Sequence, residues 1–313
     1  MIEVRNLSKQ YGDKTAVDDL TFTVRPGIVT GFLGPNGAGK STTMRMIIGL
    51  DAPTTGSVRV NGKPFAQHAR PLHEVGALLE ARSIHPGRSA RNHLLAIGAT
   101  AGIGRSRVDE VLDLVGLSDV ATRRAGSFSL GMGQRLGVAT ALLADPRTLI
   151  LDEPVNGLDP DGVRWIRTLL KQLAAEGRTV FLSSHLMSEM ALTADHVIVV
   201  GRGRLLRDQS MADFIADASV ASVRVRSPQS AVLAGLLASD GVTVRDVARD
   251  TLEVEGLSTD RIGTIAAEAS LTLFELASRD ASLEDAYMAL TEDSVAFRSR
   301  TSPQHDDETV DAA

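Results

Sequence analysis

The amino-acid sequence predicts an α/β fold with a largely parallel sheet, followed by a small α+β domain. Up to about residue 217, short β-branched runs such as IVTGFLG, RTLILDEP and RTVFLSS alternate with helical segments such as GVRWIRTLLKQLAAEG. This alternation is typical of parallel sheets covered by helices. Beyond it, the runs follow the order strand, helix, strand, strand, helix, strand. A chain of 313 residues has room for one large domain and a small one.

The larger part begins with strands. Residues 2–24 alternate in the manner of two strands on either side of the turn-forming YGDK. IVTGFLG predicts a buried strand that runs into a glycine-rich turn, KSTTMRMIIGL predicts a helix, and GSVRVNG predicts a further strand pair. A mainly helical block is expected from about residue 88 to residue 145, before strands and helices alternate again.

The smaller part is expected over residues 218–295. Four strand-like runs (SVRVRS, VTVRDV, TLEVEG and LTLFELAS) enclose two helical ones (SAVLAGLLASDG and TDRIGTIAAEASL). This β-α-β-β-α-β order predicts a ferredoxin-like accessory domain. A helix, SLEDAYMALTED, follows it, and the polar stretch at residues 300–313 predicts a disordered tail.

The bulk composition excludes several classes of site. The net charge is −6, so no basic surface is expected and nucleic acid is not an expected partner. The chain has no cysteine, which excludes disulfides, thiolate metal sites and cysteine nucleophiles. The charged start MIEVRNLSKQYG does not resemble a signal peptide, and no apolar run approaches the roughly 18 residues of a membrane span. We therefore expect a soluble, cytoplasmic protein that meets a membrane only through another protein.

A phosphate-binding loop is the strongest signal in the chain. GPNGAGKST fits the pattern G-x-x-x-x-G-K-[ST] and lies between a predicted strand and a predicted helix. The glycines allow backbone N–H groups to surround phosphates, while the lysine reaches the β- and γ-phosphates and the serine hydroxyl ligates Mg²⁺. The predicted nucleotide-binding residues of this loop are Gly34, Pro35, Asn36, Gly37, Ala38, Gly39, Lys40, Ser41 and Thr42.

Three further residues at strand ends are candidates for the same site. Asp152 is predicted to hold the Mg²⁺ shell, and Glu153, the next residue, to polarise the attacking water. His185 ends the strand FLSS and is predicted to meet the γ-phosphate. The alternatives are a solvated strand edge for the two carboxylates and a structural role for the histidine.

A second loop has phosphate-binding geometry but no catalytic group. In SFSLGMGQRLGVATALLADP, the residues Ser129, Leu130 and Gly131 open onto an apolar helix. Such a helix start offers N–H donors to an anion. The stretch contains neither a metal ligand nor a general base. The alternative is a simple N-cap, which explains Ser129 but not the glycines.

Taken together, these motifs resemble the ATP-binding subunit of an ABC transporter over about residues 2–217. Tyr11, GPNGAGKST, FSLGMGQR, LILDEP, NGLDP and SSH follow one another at spacings similar to those of the family. The resemblance implies a RecA-like core with a helical subdomain, ATP and Mg²⁺ as cofactors, and Tyr11 stacked on adenine. It also implies that two cassettes pair head to tail, so that Ser129 and Gly131 of one meet the γ-phosphate bound by the other. A homodimer on the cytoplasmic face of a membrane, joined to a separate permease, is the expected assembly.

Two residues depart from the common family pattern. Leu130 stands where a glycine is usual, and Glu80 stands where a glutamine is usual. Glu80 is expected to act as an additional Mg²⁺ ligand, because a carboxylate is a harder ligand than an amide. Sequences with these features resemble cassettes of the bacitracin-export type, which implies export of a drug, an antimicrobial peptide or a related compound. The segment at about residues 81–91 is expected to lie against the permease.

Two alternative functions remain open at the level of sequence. A non-transport ABC ATPase acting on ribosomes or DNA usually carries two cassettes or long coiled-coil inserts, and neither is present in this chain. An import cassette normally retains the glutamine that Glu80 replaces. The transported substrate does not follow from this sequence, because substrate chemistry in such systems lies mostly in the permease.

Overall fold

A six-stranded sheet forms the centre of the larger part of the protein. The computed structural model describes residues 1–80, 84–218, 222–239, 241–279 and 283–291. The strands of the central sheet lie in the order β5-β6-β7-β3-β8-β9, and only the last pair, β8 with β9, is antiparallel. In chain order, the elements up to residue 218 are β1 (Ile2–Tyr11), β2 (Lys14–Val24), β3 (Val29–Leu33), α1 (Lys40–Ile47), β4 (Thr55–Val60), α2 (Pro71–Glu74), β5 (Val75–Leu78), α3 (Ala90–Ala99), α4 (Arg105–Leu114), α5 (Leu130–Leu142), β6 (Thr148–Leu151), α6 (Pro160–Ala175), β7 (Thr179–Ser184), α7 (Met187–Thr193), β8 (His196–Gly201), β9 (Arg204–Ser210) and α8 (Met211–Ala218). The predicted α/β fold with a largely parallel sheet is confirmed.

A second, antiparallel sheet covers one face of the first. Its strands lie in the order β2-β1-β4. Three rings, Phe22 from this sheet and Phe32 and Phe181 from the central one, pack with centroids 5.1 to 5.9 Å apart. These tilted ring pairs contribute about 0.5–1.5 kcal/mol each beyond the area that they bury. They fix β3, and with it the loop that follows, against the rest of the core.

The prediction of a strand pair at GSVRVNG is wrong. The structure has one strand there, β4, which pairs with β1 and ends at Val60. Asn61 has a φ of 49° and Gly62 a φ of 83°, so the chain turns at this point instead of continuing as a strand. Both residues are typical of such turns because asparagine and glycine tolerate left-handed backbone.

The predicted helical block is present as α3, α4 and α5. These helices share a buried apolar cluster that includes Leu94, Val111 and Leu136. Helix α5 lies close against β5, and a Cβ atom at Gly137 would stand only 2.6 Å from Leu78 Cδ1. Glycine at this position therefore lets the helix that follows the second loop pack directly on the central sheet.

Helix α6 is amphipathic, with buried leucines facing the sheet. It begins where Asp159 accepts a hydrogen bond from the Gly162 N–H, and Pro160 occupies its first turn. It has 16 residues. None of the helices within the described ranges is both long and apolar enough to cross a membrane.

The carboxy-terminal part has its own sheet and core. Its elements are β10 (Ser222–Arg226), α9 (Ser230–Leu237), β11 (Thr243–Ala248), β12 (Thr251–Glu255), α10 (Thr259–Glu268), β13 (Glu275–Arg279) and α11 (Leu283–Thr291). The four antiparallel strands lie in the order β11-β12-β10-β13. Val225, Leu233, Leu252 and Ile262 are among the buried residues of a separate apolar cluster. The element order matches the sequence analysis, while the ferredoxin-like assignment stays a prediction. The tail expected at residues 300–313 lies outside the described residues.

The final helix returns to the larger part. Helix α11 packs against α7 and α8. Its Tyr287 is buried and belongs to the main apolar cluster, together with Met187 and Met190 of α7. Leu283 and Leu290 pack against the same cluster. The chain thus closes on the helix that immediately follows His185.

Candidate functional site

The glycine-rich loop joins β3 to α1 and is held in a conformation that requires glycine. Gly37 and Gly39 have φ values of 84° and 97°, in the left-handed region. A Cβ atom at Gly39 would stand 2.5 Å from the Ala16 carbonyl oxygen, and one at Gly34 would stand 2.5 Å from the Val200 carbonyl oxygen. The loop can therefore pack closely against its neighbours, and within it the Ala38 N–H donates to the Pro35 carbonyl oxygen at 3.1 Å.

Lys40 lies at the centre of this loop. Its Nζ donates hydrogen bonds to the carbonyl oxygens of Gly34, at 2.5 Å, and Pro35, at 3.3 Å. Burial lowers the pKa of Lys40, while the negative charges of Glu153 and Asp152 oppose that shift. The ammonium group is therefore buried, lies within the electrostatic influence of two carboxylates, and can bind an anion.

Two hydroxyl groups converge on the carboxylate of Asp152. Ser41 Oγ donates to Asp152 Oδ2 at 2.6 Å, and Ser183 Oγ donates to the other carboxylate oxygen, Oδ1. The Glu153 N–H donates to Ser183 Oγ at 3.0 Å. Because β6 lies beside β7 and β7 beside β3, the carboxyl ends of these three strands bring the predicted residues to one place.

Glu153 and His185 form a hydrogen-bonded pair. The Nδ1 atom of His185 lies 2.9 Å from Glu153 Oε2. Glu153 has a φ of 50°, a left-handed conformation that is uncommon for a residue other than glycine and that costs about 1–3 kcal/mol. Gln134 Nε2 donates to the Glu153 carbonyl oxygen at 3.1 Å and helps to hold it. The strained backbone directs the carboxylate toward the histidine, which is a feature of functional sites.

A cavity of about 410 Å³ lies in front of these groups. Its lining includes Tyr11, Lys14, Ala16, Pro35, Asn36, Gly37, Ala38, Gly39, Lys40, Ser41, Thr42, Leu79, Asp152 and Glu153. Tyr11 is 47% exposed, and its hydroxyl donates to Asp51 Oδ2 at 2.9 Å. A flat, tethered ring at the rim of the cavity is suited to stacking on an aromatic base.

Ser129 and Gly131 do not line this cavity. Ser129 is the N-cap of α5, and its Oγ accepts a hydrogen bond from the Met132 N–H at 3.2 Å. With Phe128 and Leu130 it lines a different cavity of about 280 Å³. The structure therefore supports the N-cap role and leaves the second loop apart from the phosphate-binding loop of the same chain.

Leu130 is accommodated by a glycine in the NGLDP stretch. Gly157 has a φ of 77°, and a Cβ atom there would overlap the Leu130 side chain. Leu130 is half-exposed and covers this backbone. Leu130 fits at the second loop because Gly157, which it contacts, has no side chain.

Glu80 lines a different cavity from Ser41 and Asp152, although its neighbour Leu79 lines both cavities. It lines a cavity of about 320 Å³ together with Arg45 and His93, and it is not part of the wall that Ser41 and Asp152 form. Hydrogen bonding to Asp51 is the main cause that raises the pKa of Arg45, and the charge of Glu80 adds to it. Within the described ranges, no group of three or more His, Asp or Glu residues is placed to hold a metal. The Glu80 carboxylate therefore shares this cavity with Arg45, and its charge acts on that guanidinium group.

Ser183 and Gln134 were missed in the sequence analysis. Ser183 precedes His185 by two residues and holds Asp152, while Gln134 belongs to the quoted FSLGMGQR stretch and holds the Glu153 carbonyl oxygen. Their positions beside the predicted motifs were the available signal. Their partners, however, depend on which strands and helices become neighbours.

Comparisons with known proteins agree with this geometry. The ABC transporter family model matches residues 17–156, and a model for a domain of unknown function matches residues 221–284. The chain is 43% identical to an uncharacterized ABC transporter ATP-binding protein, YhcH, of Bacillus subtilis, over 68% of this chain and 71% of that protein. It is 43% identical to the bacitracin transport ATP-binding protein BcrA of Bacillus licheniformis (66% and 69%) and 35% identical to the lantibiotic transport ATP-binding protein SrtF of Streptococcus pyogenes (67% and 90%).

Solved structures give the same result. An ATP-binding subunit of an ABC transporter superposes with a TM-score of 0.64 at 26% identity, covering 69% of this chain and 92% of that one. A dimeric bacterial ABC transporter cassette superposes with a TM-score of 0.61 at 26% identity, covering 67% and 99%. The phosphate-binding loop, the hydrogen-bonded carboxylates and these matches lead to one conclusion: the chain belongs to the family of ABC transporter ATP-binding proteins.

Proposed function

We propose that this chain is the ATP-hydrolysing subunit of a membrane ABC exporter whose cargo is a drug, an antimicrobial peptide or a related compound. The cargo class rests on the relatives named for bacitracin and lantibiotic transport. Residues 2–217 form the cassette, with its helical subdomain at about residues 88–145, and residues 218–295 form an accessory domain. The subunit works at the cytoplasmic face of the membrane through a separate permease.

ATP binds in the cavity in front of the phosphate-binding loop. Lys40 and the loop N–H groups hold the phosphates, and Tyr11 stacks on the adenine. Ser41 and Asp152 suit Mg²⁺ because their hydroxyl and carboxylate oxygens already converge within hydrogen-bond distance. When bound, Mg²⁺ would offset the charge on the phosphates. Glu80 would add a further carboxylate ligand to this set.

Glu153 and His185 promote hydrolysis. The oxygen of a water molecule attacks the γ-phosphorus, the bond to the β–γ bridging oxygen breaks, and Glu153 accepts the proton of the water. His185 orients the Glu153 carboxylate through their 2.9 Å hydrogen bond and meets the γ-phosphate. ADP and phosphate are the products.

The site is completed by a second copy of the chain. The observation that carries this proposal is the position of Ser129: it lies at another cavity than the one that Lys40 lines in the same chain. Its Oγ accepts one hydrogen bond from the helix, and its O–H can still donate to a phosphate oxygen. In a head-to-tail homodimer, Ser129 and the Gly131 N–H of each chain close the γ-phosphate site of the other.

The permease docks beside the helical subdomain. The segment expected there was residues 81–91, of which residues 81–83 lie outside the described residues. Ile84 and Ile97 line the apolar cavity that also contains Glu80. An apolar surface next to the phosphate site suits a partner that must sense closure of the dimer.

Mixing two inactive variants tests the shared site. Lys40→Ala removes the phosphate-binding lysine and Ser129→Ala removes the second-loop hydroxyl, and we expect each variant alone to hydrolyse ATP slowly. A mixed dimer has one intact site, formed by Lys40 of one chain and Ser129 of the other. In an equal mixture half of the dimers are mixed, and each mixed dimer has one intact site instead of two. ATPase activity should therefore recover toward about one quarter of wild type.

The control is a mixture of the single variant Lys40→Ala with a double variant that carries both Lys40→Ala and Ser129→Ala. No dimer in this mixture contains an intact site, because Lys40 is missing from every chain. Full ATPase activity of Ser129→Ala alone would contradict the shared site. Loss of activity in Ser129→Ala without any recovery on mixing would contradict pairing in trans.

A further inference from the structure

The last helix of the described chain lies against the hydrolytic part of the cassette. Helix α11 follows the accessory sheet and packs on α7, and α7 begins two residues after His185. Leu283 and Leu290 anchor α11 on the main apolar cluster. The proposed function assigns no role to this helix.

One polar atom in this interface has no hydrogen-bond partner. Tyr287 is 8% exposed, and its hydroxyl is buried without a donor or acceptor among the residues that the structure describes. A buried hydroxyl without a partner costs about 1–3 kcal/mol. An apolar side chain would fill the same place without this cost, so the hydroxyl calls for a functional explanation.

The negative charge of Glu153 acts on this hydroxyl. Burial is the larger cause that raises the pKa of Tyr287 to about 12, and the negative charge of Glu153 is the second. The hydroxyl therefore stays protonated and can act as a hydrogen-bond donor. Glu153 Oε2 is occupied by His185, which leaves Oε1 as the carboxylate oxygen for a second donor.

We propose that Tyr287 is a positioning residue for ATP hydrolysis: when the site closes on ATP, its hydroxyl donates a hydrogen bond to the Glu153 carboxylate, directly or through one water molecule. This inference rests on the proposed role of Glu153. It gives α11 a function, because the helix that ends the accessory part then supports the group that accepts the proton of water. The accessory domain is thereby linked to the rate of hydrolysis.

The test is Tyr287→Phe in the full-length chain, which removes the hydroxyl and keeps the ring that packs on α7. We expect kcat for ATP hydrolysis to fall about tenfold, since a hydrogen bond to a charged group is lost. KM for ATP should stay within about twofold of wild type, because Tyr287 does not line the nucleotide cavity. If multiple turnover is slow, the rate of the hydrolytic step is measured in a single turnover, with radiolabelled ATP and excess protein.

Thr291→Val is the matched control. It also removes a buried hydroxyl from α11, but this hydroxyl donates to the Tyr287 carbonyl oxygen within the helix. Thr291→Val should leave kcat within about twofold of wild type. A kcat within that range for Tyr287→Phe, or an equal loss in Thr291→Val, would overturn the inference.

A double-mutant cycle separates positioning from a structural effect. In Glu153→Gln, adding Tyr287→Phe should cause little further loss, because the carboxylate that Tyr287 positions is already gone. The full tenfold loss in this background would overturn the inference and leave the proposed function intact. Undiminished hydrolysis by Glu153→Gln alone would instead overturn the proposed function, and this inference with it.

Discussion

The two glycine-bearing loops of the cassette both lead into helices. The two helices differ in whether a side chain accepts a hydrogen bond from the N–H groups of the first turn. Helix α1 starts at Gly39, in left-handed conformation, and no side chain of the described residues caps it. Helix α5 starts at Ser129, whose own hydroxyl oxygen caps the Met132 N–H. Buried Lys40 follows the first start, and half-exposed Leu130 follows the second. At the start of α1 the described residues leave the first N–H groups without a side-chain acceptor, whereas Ser129 supplies one at the start of α5.

This difference teaches how one chain can bind ATP and still need a partner. The first loop combines a helix N-terminus that no described side chain caps with a buried lysine, an arrangement that favours phosphate binding. The second loop can offer only a hydroxyl proton and the first N–H groups of a helix. In the proposed dimer, the second loop would contribute when it encloses the γ-phosphate that the other chain binds. The predictions below test the two halves separately.

The largest effect is expected on the side of the phosphate-binding loop. Glu153→Gln should reduce ATP turnover by about 10²–10⁴-fold, because the side chain can no longer accept a proton from water. ATP affinity should be unchanged, since Lys40 and the loop remain. Turnover is measured by phosphate release, and affinity by equilibrium binding of a fluorescent ATP analogue. Turnover at the wild-type rate would exclude Glu153 as the general base.

A smaller loss is expected when the second loop is altered. Ser129→Ala should slow turnover by about 10–100-fold, the value of a hydrogen bond to a charged phosphate, and leave ATP binding to the isolated chain unchanged. It should also destabilise the chain by about 1 kcal/mol through the lost cap of α5. Urea unfolding measures this second effect.

Ser258→Ala is the matched control for Ser129→Ala. Ser258 caps α10 in the accessory part, where its Oγ accepts from the Arg261 N–H at 3.3 Å. The same cap is lost, so a similar drop in the free energy of unfolding is expected with normal turnover. Equal turnover in Ser129→Ala and Ser258→Ala would mean that Ser129 acts only as a cap.

The parts of the site that depend on local sequence could be predicted from it. The conformation of residues 34–42 depends on glycines whose spacing is visible in the chain, and Lys40 is placed by the helix that it begins. Asp152, Glu153 and His185 could be predicted to converge because parallel strands end at one edge of a sheet. Their individual partners followed only once β6, β7 and β3 were known to be neighbours.

The remainder depends on contacts between distant segments. The contact of Leu130 with the Gly157 backbone and the packing of α11 on α7 join residues far apart in the chain, and no local pattern encodes either contact. The strand pair expected after residue 55 failed because turn chemistry at Asn61 was overlooked. Glu80 was identified as a departure from the family pattern, but its neighbour Arg45 was not foreseen.

A moderate effect is expected for Glu80→Gln. If Glu80 ligates the bound metal, the variant should hydrolyse ATP at a similar maximal rate and require about three- to tenfold more Mg²⁺ for half-maximal turnover, because one anionic ligand is lost. A Mg²⁺ titration of ATPase activity measures this. Glu110→Gln, at an exposed position of α4, is the control for a change in net charge. An unchanged Mg²⁺ requirement would mean that Glu80 is not a metal ligand, and a complete loss of nucleotide binding would contradict the metal role.

The smallest effect is expected for Leu130→Ala, which asks whether the unusual residue of the second loop contributes more than cover. Leu130 is half-exposed and overlies the Gly157 backbone, so its loss should change turnover by less than about twofold and the free energy of unfolding by less than about 1 kcal/mol.

Gly157→Ala should lower the free energy of unfolding by about 1–2 kcal/mol, because its φ of 77° is unfavourable for alanine and the new methyl group meets Leu130. Combining both changes should remove the steric part of this cost and leave the backbone part. If Leu130→Ala instead slowed turnover as much as Ser129→Ala, the leucine would belong to the contact between the two chains, and the second loop would present an apolar surface to its partner as well as a hydroxyl.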